Sequence, residues 1–331
     1  MEPVGVGALS KPKGRSTYVV VTGVVLAAIV LAFEWRSLLA WIKVRSLLEG
    51  LDDVFVDYLP LTVPALIALG VILVLERIIP VHRTSTTGGR GLAEDILWML
   101  MVAPVAVFGT FWFARGLRWV FEHPLAGASV DLTEYLPFGV VFAICFVLGD
   151  FLGWSTHYLK HRVPLFWRFH SVHHSAIDLS LFTDARVHVV EVFINRLVFS
   201  LPFFVIGGDV MLTVPLFLVG RLWYARFIHA NIRTNLGPLR HVIVSPQYHR
   251  MHHSLEARDI DMNYGASLTV WDRIFGTQVP ESDRYPESGL NDPTFPRARS
   301  MNPIELLRSY GAQMLYPFRH LASKVPVREA A

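Results

Sequence analysis

Two short stretches of this chain share one spacing of histidines. FHSVHH, residues 169–174, and YHRMHH, residues 248–253, each carry His-x-x-His-His. Neutral imidazole is the commonest side-chain metal ligand. On a helix, positions i, i+3 and i+4 project to one side. Each stretch can therefore present three nitrogens together: His170, His173 and His174 from the first, His249, His252 and His253 from the second. His157 and His161 add a pair at i, i+4, and His229, in IHAN, ends an apolar run that would return to the same place. Nine imidazoles exceed the three or four that a single zinc ion takes, so two metal ions fit better. The chain's one cysteine, Cys145, sits in an apolar run and reads as a small buried hydrophobe. The ligand set is thus nitrogen without thiolate, which suits iron, although zinc and copper also accept imidazole.

Other residues could support these nine. His188, in RVHVVE, follows the first box and is a further possible ligand. A ligating imidazole is normally oriented through its second ring nitrogen. Asp150, seven residues before His157, is the first candidate for that role, followed by Asp184, Glu191, Asn231 and Asn263. Asp178, four after His174, reads as a cap or a ligand partner. His82, His123, His241 and His320 lack the box spacing and read as ordinary structural histidines. A membrane zinc hydrolase is an alternative, but its usual HExxH glutamate base does not occur. A non-catalytic metal or haem carrier is another; bis-histidine haem needs one ligand from each of two helices, not clustered triplets.

The elements that must position these residues are apolar. Of 331 residues, 53% are hydrophobic and 17% charged, against about 25% charged in an ordinary soluble domain. The reading is an all-α, multi-pass membrane bundle with a cytosolic helical cap carrying a histidine-rich dimetal site. Residues 17–33, 59–78, 96–114 and 136–155 read as spans, and 34–58 as an interfacial helix. Residues 82–95 read as a polar loop and 192–228 as a hairpin that enters and leaves by one face. Three regions follow: 1–58, a tail with the first span and interfacial helix; 59–280, the catalytic region; and 281–331, a polar tail with a short amphipathic helix near 303–323. The basic N-terminus and Arg77, Arg83 and Arg90 place the N-terminus and the first loop on the cytoplasmic side. Four spans return the chain to that side where the histidines begin. The net charge of +3 comes from scattered lysines and arginines, with no basic stripe of the kind that binds nucleic acid.

The histidine pattern has a family likeness. HYLKH, FHSVHHS and YHRMHHS, with the flanking DFLGWSTHYLKHRVPLFWRFHSVHHS, NYG and WDRIFGT, resemble the fatty acid hydroxylase and sterol desaturase superfamily of membrane di-iron enzymes. The resemblance covers about residues 60–280. It departs at Tyr158, where arginine is frequent, and at RVHVVE, where the family's RFHPxE has proline. The resemblance implies two iron ions, which zinc can replace on isolation, O2 as co-substrate, and a lipid substrate drawn from the bilayer: fatty acyl, sterol-like, or another isoprenoid or ether lipid. Hydroxylation, desaturation and ether cleavage all occur in the family. No cytochrome b5 pattern is visible, so electrons are expected from a separate donor of the ferredoxin, cytochrome b5 or reductase type.

Overall fold

The computed structural model describes residues 62–83, 89–207, 210–280 and 284–319. The expected first span (17–33), the interfacial helix (34–58) and the segment beyond 319 lie outside them. The described residues form helices and loops, with isolated bridges such as Ile243 with Leu268 in place of extended strands. The principal helices are α1 (Thr62–Ile78), α2 (Arg90–Glu122), α3 (Phe138–Arg162), α4 (Pro164–His174), α5 (Val189–Ile206), α6 (Val210–His229), α7 (Pro246–His252), α8 (Val270–Ile274) and α9 (Pro303–Arg319). Among the described residues, two helices are long and apolar enough to cross a bilayer, α3 and α5.

The segment expected to be a polar loop through residue 95 is helical from Arg90 onward. The reason lies in Glu94 and Asp95. They look like solvated loop acids, but they are 8% and 0% exposed and hold the guanidinium of Arg186. Their charge is consumed inside the protein rather than in water.

The α5–α6 pair is the hairpin that the sequence requires. Glu191, in the first turn of α5, reaches His170, and His229, the last residue of α6, reaches His173. Both ends of the pair therefore meet the same histidine layer. α3 packs closely along α5 because Gly149 and Gly153 present no side chain there; a Cβ at Gly153 would lie 2.2 Å from the Phe199 ring. Apolar packing continues away from the histidines through Val141, Cys145, Phe203, Phe204, Val214 and Phe217. Cys145 is buried, as its surroundings in the sequence suggest.

Local signals place the histidine helices. Val163 closes α3 and opens α4 with extended geometry (φ −97°, ψ 116°), and Pro164 follows at the first helical position. A residue before proline is pushed out of the helical region, whereas proline at the first position is well tolerated. The chain therefore turns sharply between His157–His161 and His170–His174. Ser245 caps α7 by accepting from the Tyr248 amide, with Pro246 next. His188 caps α5 in the same manner through Nδ1, which accepts from the Val190 amide.

Candidate metal centre

Nine imidazoles converge in two groups. His157 and His161 of α3, His170 and His174 of α4, and His252 of α7 form one; His173 of α4, His229 of α6, and His249 and His253 at α7 form the other. Within each group the candidate ligand atoms all lie within 4.8 Å of one another. Eight of the nine are no more than 6% exposed, and His157 is half-buried.

Each HxxHH box divides between the groups by the same rule. Positions i and i+4 (His170 and His174, or His249 and His253) serve one group, and i+3 (His173, or His252) serves the other. At about 100° per residue, i+4 lies about 40° to one side of i and i+3 about 60° to the other. A helix lying between two sites thus offers a pair to one and a single residue to the other. α4 and α7 do this in opposite senses. The groups meet where the rings of His174 and His253 stack at 4.3 Å.

For six of the nine imidazoles the partner of the second ring nitrogen indicates the tautomer. Nδ1–H donates to a carbonyl oxygen in His157 (Tyr264 O, 2.9 Å), His173 (Arg186 O, 3.3 Å), His229 (Ala225 O, 2.7 Å) and His252 (Met262 O, 2.8 Å). It faces a carboxylate in His161 (Asp261, 3.2 Å) and His170 (Glu191, 3.3 Å). With the proton on Nδ1, Nε2 carries a lone pair aimed inward. His157 and His170 then face each other Nε2 to Nε2 at 3.0 Å, and so do His173 and His229. Neither contact contains a proton, so two lone pairs oppose each other. Nε2 of His174 and of His252 is buried with no hydrogen-bond partner.

This is the arrangement a metal ion resolves. Two nitrogens each about 2.1 Å from one ion, at right angles, would be about 3.0 Å apart. Burial, and then the neighbouring imidazoles, hold His173, His174, His249 and His253 well below the usual histidine range. His252 is lowered to about 3, chiefly by burial. The rings are therefore neutral at pH 7, the form that binds metal. The donor set fits two ions of the kind that accept all-nitrogen ligation.

Around the nine, the supporting residues are only partly those that spacing suggests. Glu191 touches His170 and also pairs with Lys160 at 3.2 Å. Asp150 instead accepts from Leu268 N and Trp271 Nε1, pinning the WDRIF segment to α3. Asp184 faces Arg226 at 3.6 Å. Asn231 ties the backbone of His82 through both its oxygen and its nitrogen. Asn263 bridges Tyr248 O and Val279 N from a left-handed backbone (φ 59°). Among the described residues, none of these four is hydrogen-bonded to an imidazole ring of the two groups. His188 stands outside both groups with both nitrogens engaged, Nδ1 by Val190 N and Nε2 by Met314 O at 3.1 Å. Asp178 also lies outside them.

Two supports were not legible beforehand. Asp261 backs His161 but belongs to no box. Asp272, fully buried, collects Trp154 Nε1, Tyr248 OH, Tyr264 N, Gly265 N and Thr277 Oγ1, and so fixes the loop whose carbonyl at Tyr264 orients His157. Its place in WDRIFGT was the available signal. A similar chain runs through Arg186: its side chain is held by Asp95 at 2.7 Å and Glu94 at 3.1 Å, and its carbonyl orients His173.

Residues 142–277 match the fatty acid hydroxylase family. An alkylglycerol monooxygenase of Xenopus tropicalis is 33% identical over 141 residues, 43% of this chain and 31% of that protein. An ornithine lipid hydroxylase of Rhizobium tropici is 26% identical over 216 residues, 63% of this chain and 64% of that protein. A very-long-chain aldehyde decarbonylase of Oryza sativa is 25% identical over 153 residues, 43% of this chain and 24% of that protein. The chain thus spans about a third of the alkylglycerol monooxygenase and less than two thirds of the ornithine lipid hydroxylase. No solved structure matches it. All the histidines of the two groups lie within the matched residues, and that stretch of the chain is a fatty acid hydroxylase domain.

Proposed function

We propose that this protein is a membrane-bound lipid oxygenase that holds two iron ions on the nine histidines and uses O2 to hydroxylate or desaturate a lipid. The observation that carries the reading is the pair of groups with opposed Nε2 lone pairs at 3.0 Å. When bound, the ions supply the oxidising power toward an unactivated C–H bond, which no side chain has. The chain's own residues do the rest. Tyr264 O, Arg186 O, Ala225 O and Met262 O, with Asp261 and Glu191, keep Nδ1 protonated and Nε2 free to ligate. Burial of the groups excludes water from the reacting centre.

The substrate we propose is a lipid with a long acyl or alkyl chain, the chemistry shared by the substrates in the names of the alkylglycerol and ornithine lipid relatives. It reaches the site from the bilayer. The chain is an integral, multi-pass membrane protein with the histidine layer on the cytoplasmic face, where a separate donor protein of the ferredoxin, cytochrome b5 or reductase type delivers electrons. The apolar helices α3 and α5, whose histidine-proximal ends meet one layer, support this orientation.

The decisive experiment measures metal content and oxygen uptake on protein purified without oxygen in detergent. Two irons per chain, with uptake that requires both reductant and lipid, is the expected result. One zinc or none, with no uptake after iron is restored, would overturn the proposal.

A further inference from the structure

Helix α9 packs on the protein through a mixed face. Ser309 Oγ donates to Glu94 at 3.1 Å, Gln313 accepts from Trp98 Nε1 at 3.0 Å, and Tyr316, with Tyr310 and Met314, joins an apolar cluster. Its backbone is tied as well, because Met314 O accepts from His188 Nε2 at 3.1 Å. A second set of apolar residues faces outward: Ile304 is 61% exposed, Leu307 51%, Leu315 53% and Phe318 47%. With Gly311, which faces open space, these positions are spaced 3, 4, 4 and 3 apart, which draws one continuous stripe along the helix. A surface helix of a soluble domain confines its apolar stripe to the inner face and leaves the outer one polar. An exposed apolar stripe of this length marks a contact surface.

The stripe's neighbours identify what covers it. Exposed Arg308 and Arg319 flank it, and Glu305 is the only acid on α9. The Phe318 ring lies 5.5 Å from Phe169 of α4. One turn back on α4, Leu165 and Phe166 are 45% and 41% exposed, just after α3 ends. Leu159, on the last turns of α3, is 45% exposed. The stripe thus continues the apolar exterior of a helix long enough to cross a bilayer. An apolar face edged by arginines is the composition that lies in the boundary between headgroups and acyl chains, with the cations at lipid phosphates.

We infer that α9 is an in-plane membrane helix: its Ile304–Leu307–Leu315–Phe318 stripe sits in the acyl boundary of the cytoplasmic leaflet, Arg308 and Arg319 meet anionic headgroups, and its inner face moors the histidine layer at that depth. This rests on the membrane reading above, and the test separates the two. Cys145 is fully buried, so single-cysteine variants can be made in a Cys145→Ala background. Leu307→Cys, Leu315→Cys, Leu148→Cys on the outside of α3 and Arg258→Cys on the polar surface each receive a polarity-sensitive fluorophore. The full chain is placed in bilayers containing phosphatidylglycerol, with nitroxide-labelled lipid or aqueous iodide as quencher. Labels at 307 and 315 should be quenched by the lipid nitroxide at least severalfold more than the label at 258, approaching 148, and be shielded from iodide. Arg308→Gln with Arg319→Gln should remove the dependence of that quenching on phosphatidylglycerol content. Labels at 307 and 315 that respond like 258, or to neither quencher, while 148 responds to lipid, would overturn the inference in favour of water, or of a second copy or another segment of the chain on the stripe. A label at 148 that is not quenched by lipid would instead remove the membrane reading and this inference with it.

Discussion

The two histidine groups are neighbours with different foundations. The five-histidine group draws on two carboxylates, Asp261 behind His161 and Glu191 behind His170. The four-histidine group is backed at His173 and His229 by backbone carbonyls, while Nδ1 of His249 and of His253 is buried without a partner. A carboxylate behind an imidazole raises its basicity and fixes its orientation more strongly than a neutral carbonyl. The five-histidine group would therefore be the stronger electron donor to a metal held there. The four-histidine group, with one imidazole fewer, would be the more open one.

The largest expected effect comes from removing a ligand. His173→Ala should lower the metal content from about two per chain to about one and bring oxygen uptake to background, with membrane insertion intact. His252→Ala should do the same from the other group. Metal analysis with uptake measurements checks both, and full turnover in either variant would sink the ligand assignment.

Next comes the network behind His173. Asp95→Ala leaves the Arg186 guanidinium, 1% exposed, with Glu94 as its remaining carboxylate. Breaking a buried pair in this way costs about 3–5 kcal/mol, so the melting temperature in detergent should fall clearly. Loss of metal from the four-histidine group should accompany it, because the Arg186 carbonyl loses its anchor. An unchanged melting curve would dismiss the network as a support.

The third prediction sharpens the contrast directly. Glu191→Gln and Asp261→Asn should each weaken one class of metal site by about 10–100-fold and leave the other nearly untouched. Metal titration resolves the two classes. Equal weakening of both would mean that the carboxylates do not distinguish the groups.

A pH effect follows from the buried neutral rings. His252 is lowered to about 3 in the folded protein, whereas an unfolded histidine takes its proton near 6.5. Below that value the unfolded chain binds more protons, so the stability of the metal-free protein is fully present above about pH 6.5 and declines as pH falls toward 3. Thermal unfolding of chelator-treated protein at several pH values measures this, and a flat profile would contradict the burial. The smallest effect is expected for Ser245→Ala. It removes the cap of α7 and should cost about 1 kcal/mol, readable as a modest drop in melting temperature.

Much of the site was legible because imidazole spacing on a helix is geometric. HxxHH twice, HxxxH once and His229 at the end of an apolar run name all nine rings of the two groups. The i, i+4 against i+3 division was not legible, since it depends on where α4 and α7 lie between the sites. Nor could the supports at Tyr264, Arg186, Ala225 and Met262 be foreseen: each acts through a backbone carbonyl, which every residue possesses. Asp150 shows the converse error. Its seven-residue spacing from His157 places both on one helical face, but a face is wide, and the indole of Trp271 occupies its carboxylate. In the fold, charge misled at Glu94 and Asp95, because acids that look solvated are internal partners of an arginine almost a hundred residues away.

The split of each box has a thermodynamic consequence. Neither HxxHH helix belongs to one group alone: α4 and α7 each lend a pair to one group and a single ring to the other. An ion held by either group would immobilise both of these helices, and in doing so would order rings of the other group. The entropy of arranging those rings is spent at the first event, so the second ion should bind more tightly than the first. Loading would then be steep in metal concentration, with a Hill coefficient above one, and the singly metallated protein would be a scarce species at every stage.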